Sequence, residues 1–415
     1  MFKLRKCAVL VAAIAAAAGI GGLWFSSRAS SPAAAAPPAA IEFSEHLIAG
    51  GYTYAYGIAA VDIDGDGDLD LTSADYQPHN MLYWYENDKQ GNFKRHFIQK
   101  DDPERLERHM IGDINGDKRP DVVIVENFYG DLKWFENPPN PKDGQLWKRH
   151  YITRGGLLGA YDVDVADFDR DGDLDVVASS WRLGNRFVWY ENPGVKQDRE
   201  WTARVIDANL SETRTIRVAD FDRDGDMDIL GSVSGGGAVM WYENPGNPRT
   251  GSWKMHVIDL LARPIHGQPV DMDGDGDLDV VMAAGMAAPE TTVPKAHKIM
   301  WYENPGNPAR DHIWKKHLVY ESFAQAFEAV AADLDGDGDV DVAATGWGTP
   351  GGQIAWFENP GKGGTEWVLH MLKTPWPRAN QVIIADLNGD KRPDIAAVAE
   401  HGSNEFRWWR NEGKR

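Results

Sequence analysis

Short runs of alternating apolar and polar positions recur along almost the whole chain. The first set is a small, apolar run at 54–62, then "LDLTSAD" at 69–75, "MLYWYE" at 81–86 and "FKRHFI" at 93–98. β-Branched and aromatic residues fill these runs, and "NDKQG" or "ENPG" separates them. The pattern predicts short strands joined by tight turns. No stretch beyond the first forty residues carries a long helical period.

The four-strand pattern repeats in step with three sequence signals. A nine-residue frame, D-x-[DN]-x-D-x-x-x-D, begins at Asp62, Asp113, Asp167, Asp220, Asp271, Asp333 and Asp386. "WYEN" or "WFEN" follows at Trp84, Trp134, Trp189, Trp241, Trp301 and Trp356, with a worn "WWRN" at Trp408. An aromatic residue followed by histidine marks the fourth strand, as in "FKRH", "WKRH", "WKMH", "WKKH" and "WVLH"; "WTAR" at 201 lacks the histidine. Units of this length and strand content predict an all-β fold, a seven-bladed β-propeller with four-stranded blades. An early fourth-strand copy, "FSEHLI" at 43–48, precedes the first frame, and the last repeat stops after its third strand. Residues 41–49 are therefore expected to pair with the last blade and close the ring, which removes two free sheet edges.

The frames explain the charge. They hold 31 of the 63 acidic residues of a chain whose formal net charge is -20. Alternate carboxylates in a tight loop converge on one hard, oxygen-seeking cation, and calcium suits a large all-oxygen set. In the first loop the ligands are Asp62, Asp64, Asp66 and Asp70, with the carbonyl of Asp68. The second offers Asp113, Asn115, Asp117, Asp121 and the Arg119 carbonyl. The third offers Asp167, Asp169, Asp171, Asp175 and Asp173. The fourth offers Asp220, Asp222, Asp224, Asp228 and Asp226. The fifth offers Asp271, Asp273, Asp275, Asp279 and Asp277. The sixth offers Asp333, Asp335, Asp337, Asp341 and Asp339. The seventh offers Asp386, Asn388, Asp390, Asp394 and the Arg392 carbonyl. Up to seven structural calcium ions are expected, which would reduce the net charge to about -6. The plain alternative is a set of Asp-rich turns without metal. The second and seventh loops are the weaker ones, with Lys118 and Lys391 in place of glycine. So acidic a surface argues against nucleic acid as a partner.

The stretches "DIDGDGDLD", "DFDRDGDLD" and "DLNGDKRPD", each followed by an apolar strand, resemble the VCBS and FG-GAP repeats of integrin-alpha-like propellers. The resemblance covers nearly all of the chain after residue 40. It implies a propeller with calcium in the loops between first and second strands, and leaves activity open among adhesion proteins, lectins, polysaccharide lyases and glycosidases.

The first forty residues differ in kind. Lys3, Arg5 and Lys6 precede an apolar run from Cys7 to Phe25, and "SSRASSPAAAAPPAA" follows. This reads as an export signal with an Ala/Pro tether; an uncleaved N-terminal anchor is the alternative. The expected organisation is residues 1–40 as leader and 41–415 as one propeller. The protein is expected to be exported (secreted, periplasmic or at the cell surface) and monomeric, with contact to a membrane only through such an anchor. The only cysteine, Cys7, lies in the leader, so the remainder forms no disulfide.

Candidate ligand chemistry appears once the repeat is subtracted. Trp181, Trp347 and Trp376 have no repeat role and fall in predicted loops on the face opposite the metal loops. His79, His109, His266, His297 and His401 map near the same face. Five residues before each frame stand Gly57, Arg108, Asp162, Thr215, His266, Glu328 and Gln381, with Arg214 and Arg217 beside them. On innermost strands these would form a polar ring at a channel mouth. Aromatics beside Arg and carboxylates suit a sugar. Trp181, Trp347, Trp376, Arg214, Arg217 and Glu328 are the candidate ligand contacts. His109 with Arg108, or His266, are the candidate catalytic groups if the protein is a polysaccharide lyase or glycosidase. The expected function is a binding module for glycans or other cell-surface ligands; enzyme and protein-interaction scaffold stay open. A long insertion at 285–298 in the fifth repeat is expected to overhang the mouth.

Overall fold

The computed structural model describes residues 41–414, apart from 77–79, 195–198, 289–295 and 362–365. His79 and residues 289–295, half of the 285–298 insertion, therefore lie outside the described residues. Strand β1 spans Ile41–Gly50. The first four-stranded unit is β2 Ala55–Val61, β3 Asp70–Asp75, β4 Met81–Asn87 and β5 Phe93–Gln99. The second is β6 Leu106–Gly112, β7 Asp121–Glu126, β8 Leu132–Glu136 and β9 Lys148–Thr153. The third is β10 Ala160–Ala166, β11 Asp175–Ser180, β12 Arg186–Glu191 and β13 Thr202–Asp207. The fourth is β14 Thr213–Ala219, β15 Asp228–Val233, β16 Ala238–Glu243 and β17 Lys254–Asp259. The fifth is β18 Pro264–Val270, β19 Asp279–Ala284, β20 Lys298–Glu303 and β21 Lys315–Glu321. The sixth is β22 Ala326–Ala332, β23 Asp341–Gly346, β24 Gln353–Glu358 and β25 Val368–Lys373. Strands β26 Ala379–Ala385, β27 Asp394–Ala399 and β28 Glu405–Lys414 complete the chain. Among the described residues there is no α-helix, only a 3-10 turn at Pro141–Asp143.

The result is an all-β, propeller-like arrangement. Each unit is an antiparallel meander, and β1 pairs with β28 from Ile41↔Lys414 to Gly50↔Glu405, so the first strand completes the last sheet. Seven separate four-stranded sheets were expected. Five are separate, and the fifth and sixth units join into one eight-stranded sheet. The joint is a single parallel pair, His266↔Glu328 on β18 and β22, so two innermost strands approach closely at one point.

Core side chains lie between neighbouring units rather than in one centre. Trp84, for example, packs with Ile63, Leu106, Val122, Ile124 and Trp147, which joins the first unit to the second. The repeated Asn of the W-x-E-N motif ties units through the backbone. Asn137 Nδ2 donates to the Ile63 carbonyl at 2.9 Å, and Asn192, Asn244, Asn304 and Asn411 reach the preceding unit in the same way. Asn87 donates to the Leu387 carbonyl at 2.7 Å, across the seam where first and last units meet. The repeated Trp and His are structural: Trp84–His96, Trp134–His150, Trp241–His256, Trp301–His317 and Trp356–His370 stack with ring centroids 3.8 to 4.4 Å apart. The Glu of each motif bonds that histidine. In the third unit Arg204 takes over, lying over Trp189 and pairing with Glu191.

Candidate functional sites at the two ends of the strands

The seven aspartate frames form the loops between the first and second strands of each unit. Their fourth and sixth positions all have φ between 59° and 95°. Glycine takes that left-handed conformation without a Cβ penalty, which is why most of these positions are Gly and why Lys118, Arg170, Arg223 and Lys391 are strained exceptions. The first Asp caps its own loop: Asp62 Oδ1 accepts the Gly65 amide at 2.8 Å and Oδ2 accepts the Gly67 amide at 3.0 Å.

The ninth-position Asp is different. Asp70 Oδ2 accepts the Ile63 amide at 3.0 Å and Oδ1 the Asn87 amide at 2.8 Å. The same two bonds recur at Asp121, Asp175, Asp228, Asp279, Asp341 and Asp394. This residue thus locks the loop to the third strand as well as contributing charge. Burial pushes the Asp70 carboxyl up to about 7, against the lowering effect of its two amides, and loop neighbours Asp64 and Asp68 add to the rise.

The loops fit an oxygen-bound cation. Asp62, Asp64 and Asp66 offer oxygens within 4.8 Å of one another, as do Asp167, Asp169 and Asp175, Asp220, Asp222 and Asp228, and Asp271, Asp273 and Asp275. Asp169 Oδ1 and Asp220 Oδ1 are buried without hydrogen-bond partners among the described residues. Basic side chains from the next unit also reach this charge. Lys142 Nζ lies 2.6 Å from Asp64 and 3.0 Å from Glu86, and Arg249 lies 2.7 Å from Asp169 and Asp171 and 2.8 Å from Glu191. Lys414 lies 3.2 Å from Asp335. A metal in those loops would share its carboxylates with a built-in counter-ion.

The opposite face carries the strand-four-to-one and strand-two-to-three loops. Each innermost strand has a register shift near its start, for instance between Tyr56 and Ile58 and between Leu106 and His109. A bulge breaks strict alternation. Two successive residues of each innermost strand therefore contribute to contacts around the axis.

One ring is the set anticipated five residues before each frame, and it is a plug rather than an open mouth. Arg108 Nε donates to Asp162 at 3.0 Å, and Arg108 Nη2 reaches across the ring to Glu328 at 2.5 Å. Arg217 donates to the other Asp162 oxygen at 2.8 Å. Two guanidinium groups thus meet two carboxylates. Gly57, at φ 66°, sits so close to His109 that a Cβ would lie 2.4 Å from its Nδ1, so only glycine fits. On the aspartate-loop side of the plug lies a cavity of about 300 Å³ lined by Ile58, Met110, Arg217, Gln268, Glu328 and Ile384, among others.

This placement corrects several expectations. Arg108, His109 and His266 are all buried, because the ring closes on itself with salt bridges and hydrogen bonds. His266 bonds Thr215 through Nδ1 at 2.9 Å and Tyr161 through Nε2 at 3.1 Å, so neither nitrogen is free to act as a base. Burial and then the Arg108 charge push the His109 pKa down to about 3, and the His266 pKa falls for the same reasons. Trp376 is in the core, 1% exposed, edge-on to Trp409 and bonded to Glu405, because its loop folds inward. Arg214 and Glu328 are buried, and Arg217 is mostly so. Trp181 and Trp347 do remain half-exposed on the predicted face.

The second ring lies one residue earlier, and of its members only Arg214 was expected from the sequence. Tyr56, Glu107, Tyr161, Arg214, Ile265, Phe327 and Asn380 occupy it. Tyr56 OH donates to Tyr161 OH at 3.2 Å, and Arg214 lies over both Tyr161 and Trp181, at 4.9 and 4.5 Å. Glu107 pairs with Arg105 at 2.6 Å, and Arg105 in turn lies over Tyr54 and Tyr76. Trp347 Nε1 donates to buried Glu400, and Arg378 lies over the Trp347 ring at 4.6 Å. Burial pushes the Glu107 carboxyl up to about 7; Arg105 opposes that and Glu400 adds to it. The column of residues one place upstream of the first ring carried this signal.

Fold and loops together define an all-β repeat protein of the propeller type. The chain carries FG-GAP-like repeats, matched at residues 113–178, 220–282 and 333–397. It is 25% identical over 55% of its length to aldos-2-ulose dehydratase of Phanerodontia chrysosporium, covering 26% of that protein. It is 27% identical over 31% of its length to cartilage acidic protein 1 of Xenopus tropicalis, covering 21% of that protein. The chain thus spans about a quarter of the curated relatives it matches. Among solved structures it is similar to an Agrocybe aegerita lectin specific for non-reducing terminal N-acetylglucosamine, with 18% identity, TM-score 0.50, and 77% and 80% of the two chains covered. It is also similar to BBS1N crystallised with ARL6DN, with 11% identity, TM-score 0.54, and 90% and 97% covered. At these identities both likenesses are of fold alone.

Proposed function

We propose that the chain is a seven-bladed, calcium-stabilised propeller, its joined eight-stranded sheet counting as two blades, that binds a glycan on the face opposite the calcium loops. The observation that carries this reading is the pair of half-exposed tryptophans, Trp181 and Trp347, each covered by a guanidinium group and each beside a buried polar ring. A sugar presents apolar C–H faces that stack on aromatic rings and hydroxyls that accept from Arg. Aldos-2-ulose dehydratase, a sugar enzyme by its name, agrees in class with this reading. A glycan array on the calcium-loaded protein tests it. Binding to a defined saccharide is expected, and Trp181→Ala and Trp347→Ala should each weaken it tenfold or more while leaving the fold intact. Full affinity in both variants moves the site elsewhere.

A further inference from the structure

A separate acidic group lies outside the repeat loops. Glu104 precedes β6, Glu126 ends β7, and Asp131 closes the turn that leads into β8, where the Glu126 amide donates to the Asp131 carbonyl at 2.9 Å. One carboxylate oxygen of each lies within 4.8 Å of the other two. Glu126 is fully buried; its Oε1 takes Lys133 Nζ, while its Oε2 is buried without a hydrogen-bond partner among the described residues. Glu104 Oε2 is in the same position. Asp131 Oδ1 accepts the Gly155 amide at 2.6 Å. Asp102 lies on the far side of Lys133 at 3.1 Å and receives Arg149 at 3.4 Å.

The charges do not balance. Four carboxylates face Lys133 and Arg149, which leaves an excess of two negative charges where Asp102, Glu126 and Asp131 are all buried. Burial and neighbours Asp131 and Asp102 raise the Glu104 pKa, while Lys133 opposes the rise. The fold itself does not ask for this group. The residues matching Glu126 at the ends of the other second strands are Asp75, Ser180, Val233, Ala284, Gly346 and Ala399.

We propose that Glu104, Glu126 and Asp131 bind one divalent cation of the calcium class, distinct from those of the repeat loops. Its charge matches the excess, and its preference for carboxylate oxygen matches the unpartnered atoms. Three protein oxygens leave coordination positions for water or for oxygens of a bound ligand. The site adjoins Arg105, which lies over Tyr54, Tyr76 and Phe128.

Counting bound calcium per chain by elemental analysis, after equilibration at fixed free calcium, tests the proposal. Glu104→Gln and Asp131→Asn should each lower the count by one, and the double variant should also lower it by one only. Adding Asp64→Asn, in the first repeat loop, should lower it by a further one. An unchanged count in Glu104→Gln and Asp131→Asn overturns the proposal and leaves a cluster balanced by protons. Glu104 is only partly buried and makes no bond to Lys133, so its variant stays informative if Glu126→Gln fails to fold.

Discussion

Trp181 and Trp189 are near neighbours in sequence and opposites in environment. Trp189 is fully buried between the third and fourth units, whereas Trp181 stands half-exposed under Arg182 and Arg214. Cutting Trp189 to Ala should cost about 3–5 kcal/mol, and cutting the partly exposed Trp181 should cost clearly less, as read from urea unfolding. His109 gives a pH prediction. Its folded pKa of about 3 lies below the ordinary value of 6.5, so the unfolded chain binds the proton first. Its contribution is therefore fully present above pH 6.5 and is lost as pH falls towards 3. Over that window His109→Gln should remove about 1.4 kcal/mol per pH unit from the steepness of acid destabilisation, measured as the difference between variant and parent unfolding curves.

At the scale of the element, the decisive piece is β1. It supplies the outer edge partner of β28, and Asn87 fastens the same seam from the other side. Deleting residues 41–50 should expose β28 along its length and produce aggregation in size-exclusion chromatography. A monomeric truncation with the parent melting temperature would contradict the closure. Asn87→Ala should cost about 1–3 kcal/mol, because it leaves the buried Leu387 carbonyl without that donor.

For the whole molecule, the dominant quantity is charge. Calcium should raise the melting temperature and a chelator lower it, by about 2.7 kcal/mol per site at a hundredfold excess over Kd. Scanning calorimetry with calcium and with EGTA checks this. The counter-ions from neighbouring units refine the expectation. Lys142→Met should destabilise the metal-free protein, because Asp64 and Glu86 lose their partner, yet should tighten calcium binding by the first loop. A calcium titration that shows weaker binding in Lys142→Met would reverse that view of the lysine.

The sequence by itself determined the repeat, the strands, the closing role of residues 41–49 and the candidate metal loops, because all of these follow from short-range pattern. In the first unit the expected strand ends fall within a residue of those observed. Tertiary structure alone decided what the innermost strands do. Arg108 and Glu328 are distant in sequence, and nothing local indicates that they meet across the axis and shut it. The bulges that bring Glu107 and Arg108 both into contacts around the axis also break the two-residue period on which a reading of strands depends. Trp376 and Trp181 look alike as loop tryptophans; only the packing of Trp376 on Trp409 separates them. The Glu104, Glu126 and Asp131 group was likewise illegible, since its members come from two turns whose approach is set by the closing of the sheet.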